Sequence, residues 1–302
     1  MELQNIQWAT TPDLDIAYEE WGHSNKEVVI LLHGFPDDPR AWDAVASTLS
    51  SAGCRVIVPY LRGFGPTRFR RADTMRSGQQ AAIGQDLLDL MDALGLAQAT
   101  LVGYDWGGRA ACVAAALRPG RVRALVAING YTIQNIQLSA RPAHPQIELQ
   151  FWYQWYFQTE RGQLGLQTYR DELCALLWSL WSPNWKYTSE TLERTAASFD
   201  NPDFVEVVIH SYRHRCGAAP GAPSLETLEQ RLMDQPSISV PTIVLLGEAD
   251  PLRPPSRAND SSHFKRFYEQ TVVPFAGHFV PREAPDAVCA AVLKLLRVES
   301  AR

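Results

Sequence analysis

Residues 103–107 carry the clearest chemical signal in this 302-residue chain. They have the sequence Gly-Tyr-Asp-Trp-Gly, follow a short apolar run and open a helical pattern. A glycine two positions before and after a central nucleophile is the layout of a sharp strand-to-helix turn that exposes the central side chain. The central residue is Asp105. The helix that begins at such a turn directs its positive amino-terminal end at the carboxylate, which favours the ionised form.

A carboxylate at this position predicts attack on saturated carbon. A serine would attack a carbonyl group, whereas a carboxylate displaces a leaving group from carbon and forms an alkyl ester. An aspartate that merely caps a helix would leave the same local pattern. The buried strand before the turn, the helix after it and the place of the turn in the strand–helix series favour a nucleophilic role for Asp105.

Hydrolysis of such an ester requires a base that activates water. We predict that His278, in a Gly-His step near the carboxyl terminus, is this base, and that Asp250 holds its imidazole in the correct tautomer. The chain order nucleophile, acid, histidine accompanies this kind of turn. Glu248 and Asp260 compete for the place of the acid, but Asp250 lies nearer the expected distance from its strand. The preceding core strand is followed by Asn129, an amide, so it supplies no acid there.

Negative charge develops on an ester oxygen when water attacks, and backbone N–H groups aimed at that oxygen stabilise it. One donor is expected from the backbone of Trp106, directly after the nucleophile. The second is expected from the backbone of Phe35, in the His-Gly-Phe-Pro loop at residues 33–36 that follows the first core strand. Pro36 has no N–H group and restricts the loop. The assignment depends on position alone, since a backbone amide needs no particular side chain.

These groups must be positioned by a sheet. Short apolar runs without alternation predict strands that are covered on both faces, at residues 28–32, 56–58, 100–102, 125–128, 243–246 and 271–273. Two paired strands are predicted before them, at residues 6–10 and 15–21. Helical patterns at residues 80–94 and 108–117 alternate with the runs. This alternation predicts a mostly parallel central sheet of about eight strands.

The alternation stops after residue 130 and resumes near residue 240. Between these points the patterns are almost entirely helical, at residues 146–158, 164–181, 189–198 and 203–216. We therefore expect an α/β core made of residues 1–130 and 237–302, with an all-helical cap domain formed by residues 131–236. A helical block between two stretches of strand–helix alternation is expected to lie over the sheet.

The composition narrows the class of protein. A net charge of −5 with both signs dispersed argues against nucleic acid and anionic membranes as partners. Five scattered cysteines predict no disulfide framework, and the start of the chain lacks the pattern of a signal peptide, so we expect a cytoplasmic location. No residues have the spacing of a metal site, and neither a metal nor an organic cofactor is expected. A homodimer is compatible with the sequence.

Four segments together resemble the epoxide hydrolases of the α/β-hydrolase superfamily. They are residues 33–36 (His-Gly-Phe-Pro), 103–108 (Gly-Tyr-Asp-Trp-Gly-Gly), 247–250 (Gly-Glu-Ala-Asp) and 277–278 (Gly-His). Residues 61–66 also match the Arg-Gly-x-Gly loop typical of these enzymes. The resemblance implies an α/β-hydrolase fold, an Asp105–Asp250–His278 triad and the opening of a small hydrophobic epoxide to a vicinal diol.

In the epoxide hydrolases, two cap tyrosines donate hydrogen bonds to the epoxide oxygen. The first family position falls on Tyr153, with Tyr156 as a second candidate one helical turn later, and the second falls on Tyr212, which precedes an arginine. Most cap aromatics only pack helices together. Some are expected to line an apolar pocket, and we predict that Trp106, Trp155 and Tyr156 contact the substrate.

Two other functions compete with this interpretation. Haloalkane and fluoroacetate dehalogenases share the same core, and a tryptophan after the nucleophile also serves to hold halide in haloalkane dehalogenases. The second halide donor of those enzymes is absent, because Phe35 stands at its position. Fluoroacetate dehalogenases bind the substrate carboxylate with two arginines; Arg109 matches one and Trp106 replaces the other. A non-catalytic receptor on the same scaffold would not need His278.

Overall fold

The computed structural model describes residues 6–258 and 260–300, and its centre is a sheet of nine strands. The strands are β1 (Gln7–Thr10), β2 (Leu14–Trp21), β3 (Glu27–Leu32), β4 (Cys54–Pro59), β5 (Arg68–Phe69), β6 (Ala99–Gly103), β7 (Val122–Ile128), β8 (Thr242–Gly247) and β9 (Tyr268–Val273). Their order is β1-β2-β4-β3-β6-β7-β8-β9, with β5 paired to β2. β2 pairs antiparallel with β1, β4 and β5, and the other pairs are parallel. The predicted, mostly parallel sheet is confirmed.

Twelve α-helices lie within the described residues. They are α1 (Asp43–Ser51), α2 (Gln80–Ala93), α3 (Asp105–Leu117), α4 (Pro145–Gln150), α5 (Trp152–Tyr156), α6 (Glu160–Thr168), α7 (Arg170–Trp181), α8 (Ser189–Ala196), α9 (Phe204–Arg215), α10 (Glu226–Met233), α11 (Val280–Glu283) and α12 (Pro285–Ser300). None of these helices is long and apolar enough to cross a membrane. The five cysteines are all free.

Most of the apolar runs form strands because the sheet is covered on both faces. The edge strand β9 is the exception: Thr271 and Val272 are exposed, so the prediction that residues 271–273 are covered on both faces is wrong. In β3, the segment from Val29 to Leu32 is at most 1% exposed, although successive side chains point to opposite faces. Ile30 pairs with Ile57 of β4 on one side and with Leu101 of β6 on the other. Strands buried in this way need no polar alternation, which is why the runs are continuous in the sequence.

The helices α4 to α10 all lie between β7 and β8, and we call this segment the helical insertion. Two of the predicted long helices are each divided in two. The predicted helix 146–158 is interrupted at Phe151 and the predicted helix 164–181 at Tyr169, where ψ rises to +19° and +39°. Thr159 also starts α6 earlier than predicted, because its hydroxyl accepts a hydrogen bond of 2.9 Å from the Gly162 N–H group.

The insertion contacts the core at the carboxyl ends of the parallel strands. The Trp178 Nε1–H group donates to the carbonyl of Pro36, in the loop after β3, at 2.7 Å. The backbone N–H of His278, in the loop after β9, donates to the carbonyl of Trp181 at 2.9 Å. Ligand sites of parallel α/β sheets lie at this edge, so the contacts place the insertion beside the predicted site.

Candidate active site

Asp105 occupies the sharp turn between β6 and α3. Its φ angle is +49°, a left-handed conformation that costs energy for a residue other than glycine. The turn requires close approaches of the backbone. A Cβ atom on Gly107 would lie 2.1 Å from the Leu32 carbonyl oxygen, and one on Gly34 would lie 2.5 Å from the Asp105 Cβ. Only glycine fits at these two positions, and the strained turn presents the Asp105 carboxylate to the cavity described below.

The three residues of the predicted triad are brought together. The Nδ1 atom of His278 lies 3.0 Å from Asp250 Oδ2, and its Nε2 atom lies 3.8 Å from Asp105 Oδ2. The other oxygen of Asp250 accepts hydrogen bonds from the backbone N–H groups of Leu252 and Arg253 at 2.8 and 3.2 Å. The imidazole therefore bridges two carboxylates, one held by backbone donors and one exposed to the cavity.

The two competing acids, Glu248 and Asp260, bind other groups. Glu248 accepts a hydrogen bond from the Phe275 N–H group at 2.9 Å. Asp260 accepts from the Tyr131 N–H group at 2.9 Å and forms an ion pair with Arg253. Of the three carboxylates considered, Asp250 is the one hydrogen-bonded to the imidazole.

Asn129 links Asp105 to Asp250, a contact that the sequence did not predict. Its Oδ1 atom accepts a hydrogen bond from the Asp105 N–H group at 3.3 Å, and its Nδ2 group donates to Asp250 Oδ2 at 2.9 Å. The residue directly follows β7, between the strands that precede Asp105 and Asp250. That position is the available signal, although the sequence alone suggests it only as an alternative place for the acid.

The charges of the site support one another. Burial alone would raise the pKa of Asp105, but His278, Arg215 and the Phe35 N–H group together lower it, so the carboxylate is ionised. Burial alone would lower the pKa of His278, but the charge of Asp250 and the nearby Asp105 carboxylate raise it to about 10. At neutral pH the resting site thus holds an imidazolium between two carboxylates.

The loop after β3 provides a backbone donor. The Phe35 N–H group donates to Asp105 Oδ1 at 2.9 Å. His33 shapes this loop: its Nε2 accepts from the Leu61 N–H group at 3.1 Å, and its Nδ1 lies 3.0 Å from the Gly34 carbonyl oxygen. Burial lowers the pKa of His33 to about 4, so the ring is neutral. The Trp106 N–H group lies in the first turn of α3, where helical N–H groups have no intrahelical acceptor.

Tyr153 and Tyr212 come from different helices of the insertion and meet beside Asp105. Their ring centroids are 5.3 Å apart, and the Tyr212 ring also packs on Phe35 and Trp106. Burial and the Asp105 charge raise the pKa of Tyr153 to about 12, and burial also raises that of Tyr212. Both phenols therefore keep their protons. The Gln154 Nε2 group donates to the Tyr153 oxygen, whereas the buried Tyr212 hydroxyl has no hydrogen-bond partner among the described residues.

A cavity of about 510 Å³ opens onto the carboxylate. Its lining includes Asp105, His278, Tyr153 and, at the rim, the half-exposed Trp155. A groove of about 600 Å³ elsewhere on the surface contains none of these four residues. Neither Tyr212, which is fully buried, nor Tyr156 is part of this lining. Tyr156 packs on Gly165, where an added Cβ would lie 1.9 Å from its hydroxyl, whereas Tyr212 contacts the Tyr153 ring.

Trp106, which was predicted to contact the substrate, is not part of the cavity lining. It is fully buried, stacks on Phe35 and has an Nε1–H group without a hydrogen-bond partner in the described part of the chain. Across residues 6–258 and 260–300, no three His, Cys, Asp or Glu side chains are grouped so as to hold a metal ion. The arrangement has the parts for a nucleophilic carboxylate, a water-activating histidine and two phenolic proton donors.

Comparisons with known proteins agree with this arrangement. Residues 27–285 match the family model of the alpha/beta hydrolase fold. A crystal structure from Klebsiella pneumoniae, provisionally named an epoxide hydrolase, is 42% identical, with a TM-score of 0.95 and 97% of each chain covered. Human epoxide hydrolase 4 is 25% identical over 94% of this chain and 76% of its own length. Epoxide hydrolase A of Mycobacterium tuberculosis is 26% identical over 92% of each chain. The chain therefore belongs to the α/β-hydrolase fold family and, within it, is a hydrolase of the epoxide hydrolase-like group.

Proposed function

We propose that this protein opens an epoxide to a vicinal diol through an ester on Asp105. The observation that carries the proposal is the meeting of two protonated phenols, Tyr153 and Tyr212, beside an ionised carboxylate that faces a histidine–aspartate pair. An epoxide is the leaving group that suits these phenols, since its oxygen departs as a basic alkoxide and remains on the substrate. The names of the related proteins support the same reaction.

In the first step, a carboxylate oxygen of Asp105 attacks an epoxide carbon and the carbon–oxygen bond breaks. The resulting alkoxide takes a proton from Tyr153 or Tyr212. Esterification removes the negative charge of Asp105, which is one of the groups that raise the pKa of His278. The imidazolium then becomes more acidic, and its proton restores the phenol. One hydroxyl of the product is complete at this stage.

In the second step, neutral His278 takes a proton from water, and the hydroxide attacks the carbonyl carbon of the ester. The negative charge on the carbonyl oxygen is stabilised by the backbone N–H groups of Phe35 and Trp106. Collapse of this intermediate expels the second alkoxide, which takes the proton from His278. The Asp105 carboxyl group then returns its own proton to the imidazole, so protons balance over one turnover.

The division into domains belongs to the same proposal. Residues 131–236 would act as a cap domain that supplies the proton donors and the roof of the cavity. Residues 1–130 and 237–302 would form the core that supplies the nucleophile and the base. The contacts of Trp178 and Trp181 with core loops support this division.

The covalent intermediate tests the proposal directly. We expect His278→Gln to react once with styrene oxide and to retain the ester, so that intact-protein mass spectrometry finds an adduct equal to one substrate. The double variant Asp105→Ala/His278→Gln is the matched control and should stay unmodified. An unmodified His278→Gln protein after prolonged incubation, with wild-type turnover intact, would refute the two-step path.

A hydrolytic dehalogenase is the alternative, and one observation favours it. The buried Nε1–H groups of Trp106 and Trp181 both lack hydrogen-bond partners in the described residues, and indole N–H groups of this kind suit a halide ion. Trp181 packs on His278 with ring centroids 5.2 Å apart. Parallel assays of diol formation and halide release decide between the two reactions. Halide release that far exceeds diol formation would favour the dehalogenase.

A further inference from the structure

Two arginines line the cavity near Asp105 without carboxylate partners. Arg109 lies one turn along α3 from the nucleophile, is buried, and has one hydrogen bond, from Nε to the Thr132 carbonyl at 3.0 Å. Arg215, the last residue of α9, has buried Nε and Nη2 atoms with no hydrogen-bond partner among the described residues. Its guanidinium carbon lies 4.7 Å from the centre of the Tyr212 ring. Neither arginine forms an ion pair within residues 6–258 and 260–300.

Two other arginines with buried side chains are paired with carboxylates. Arg62 forms two hydrogen bonds of 2.6 Å with the carboxylate of Asp86, and Arg282 is held by the carboxylate of Asp37. An unpaired buried cation costs folding free energy, and two neighbouring cations cost more. Burial and the charge of Arg215 lower the pKa of Arg109 to about 9. Unsatisfied charges in a cleft are typical of a binding site, because a bound anion relieves both costs.

The ionised nucleophile does not account for this pair. Asp105 Oδ1 accepts from the Phe35 N–H group, and Oδ2 faces His278. The arginines act on the Asp105 carboxylate through space without hydrogen-bonding it, so their remaining N–H donors are left unused. A guanidinium group presents several donors in one plane and matches the two oxygens of a carboxylate.

We propose that the substrate carries a carboxylate, which Arg109 and Arg215 bind while the rest of the molecule lies in the apolar part of the cavity. That part includes Ile133, Leu138 and Phe151. The inference deepens the proposed function and rests on it for the reacting group, which makes the substrate an epoxy acid with an apolar body. The carboxylate is a spectator, so the bonds formed and broken are unchanged. The sequence predicts an apolar substrate, and this inference adds a carboxylate at one end of it.

Binding of a non-reacting pair of probes tests the inference without turnover. The probes are 3-phenylpropanoate and its neutral amide, measured by isothermal titration calorimetry at neutral pH. We expect the acid to bind at least about 30-fold more tightly than the amide, because charge-assisted hydrogen bonds contribute about 10- to 100-fold each. Arg109→Met and Arg215→Met should each lose about 10-fold or more in affinity for the acid and less than about threefold for the amide.

Arg161→Met is the matched control, since it removes the same charge from an exposed position on α6. It should leave both affinities unchanged. Arg215→Lys keeps a charge without the planar donors and should fall between the wild type and Arg215→Met. Equal binding of acid and amide, no detectable binding of the acid, or a preference that survives both methionine substitutions would overturn the inference.

Turnover of 3-phenyloxirane-2-carboxylate and its amide separates this inference from the proposed function. A higher kcat/KM for the acid, reduced selectively in the two methionine variants, supports both. If the acid binds selectively but neither epoxide is opened, the proposed function fails and the arginine site stands. If both epoxides are opened equally well, the proposed function stands and the arginine site fails.

Discussion

The core and the helical insertion hold their parts of the site by different means. In the core, the groups are fixed by hydrogen bonds: Asp105 to the Phe35 N–H group, Asp250 to two backbone N–H groups, and His278 to Asp250. Each lies within five residues of the end of a parallel strand. In the insertion, Tyr153 and Tyr212 are positioned mainly by ring packing.

The two regions therefore differ in how firmly they fix the polar atoms of the site. Hydrogen bonds to the backbone fix the carboxylates of Asp105 and Asp250 in one orientation, as their proposed roles require. Aromatic packing fixes the ring but leaves the phenolic hydroxyl without a hydrogen-bond partner in the described residues, as in Tyr212. In the proposed reaction, that hydroxyl would donate to the substrate oxygen. The core would thus supply bond making and the insertion would supply protons and selectivity. The predictions below test this division, from the largest expected effect to the smallest.

Removal of the nucleophile should have the largest effect. We expect Asp105→Ala to lose at least about 10⁴-fold in kcat for an epoxide, since groups that act as one catalytic unit are lost together. The fold should persist, because alanine has no larger volume at this turn. Steady-state diol formation and circular dichroism check the two statements. Activity within tenfold of the wild type would exclude Asp105 as nucleophile.

Loss of the phenols should cost less. Tyr153→Phe and Tyr212→Phe should each reduce epoxide turnover about 10²-fold, the low end for general acid catalysis, and the double variant should lose more. Any turnover of alkyl halides should change little, because halide is a weak base. Tyr156→Phe is the matched control: its hydroxyl lies against Gly165, outside the cavity lining, so it should retain activity. If Tyr153→Phe kept wild-type epoxide turnover and Tyr156→Phe lost most of it, the assignment of the two tyrosines would be reversed.

The same contrast explains what the sequence could and could not predict. Asp105, Asp250 and His278 each follow a strand within a few residues, and parallel strands end at one edge of the sheet, so their meeting was predictable. Asn129 was not, because its role depends on a left-handed backbone, with φ of +68°, that aims a side-chain amide at two neighbours.

The insertion was less predictable for a physical reason. Its aromatic residues recur at helical spacing whether they pack or bind, and only the fold separates Tyr153, at the cavity, from Tyr156, against Gly165. The helix breaks at Phe151 and Tyr169 rotate the later residues away from the faces that a continuous helix would give them. Arg215 reaches the cavity across a long sequence separation, so its proximity to Arg109 has no local signal.

The imidazolium of His278, held between Asp105 and Asp250, should also make the stability of the protein depend on pH. The pKa of His278 is raised to about 10 in the folded protein, above its usual unfolded value of about 6.5. The imidazolium therefore contributes its full stabilisation below pH of about 6.5, and this stabilisation is lost as the pH rises through the folded pKa. Wild-type free energy of unfolding should therefore fall between pH 7 and 10, by at most about 1.4 kcal/mol per pH unit. Urea unfolding of wild type and His278→Gln measures this. Parallel curves for the two proteins would contradict the raised pKa.

Asn129→Ala should have the smallest effect, because it removes a positioning residue and leaves every reacting group in place. The Asp105 N–H group would lose an acceptor and Asp250 would lose one donor, which should lower kcat about 5- to 10-fold with little change in KM. A less satisfied Asp250 carboxylate attracts the imidazolium more strongly, so the pKa of His278 should rise further. Nuclear magnetic resonance titration of the His278 ring separates this from general destabilisation, which would not shift a ring pKa. Unchanged kcat and an unchanged titration would show that the core site is held without Asn129.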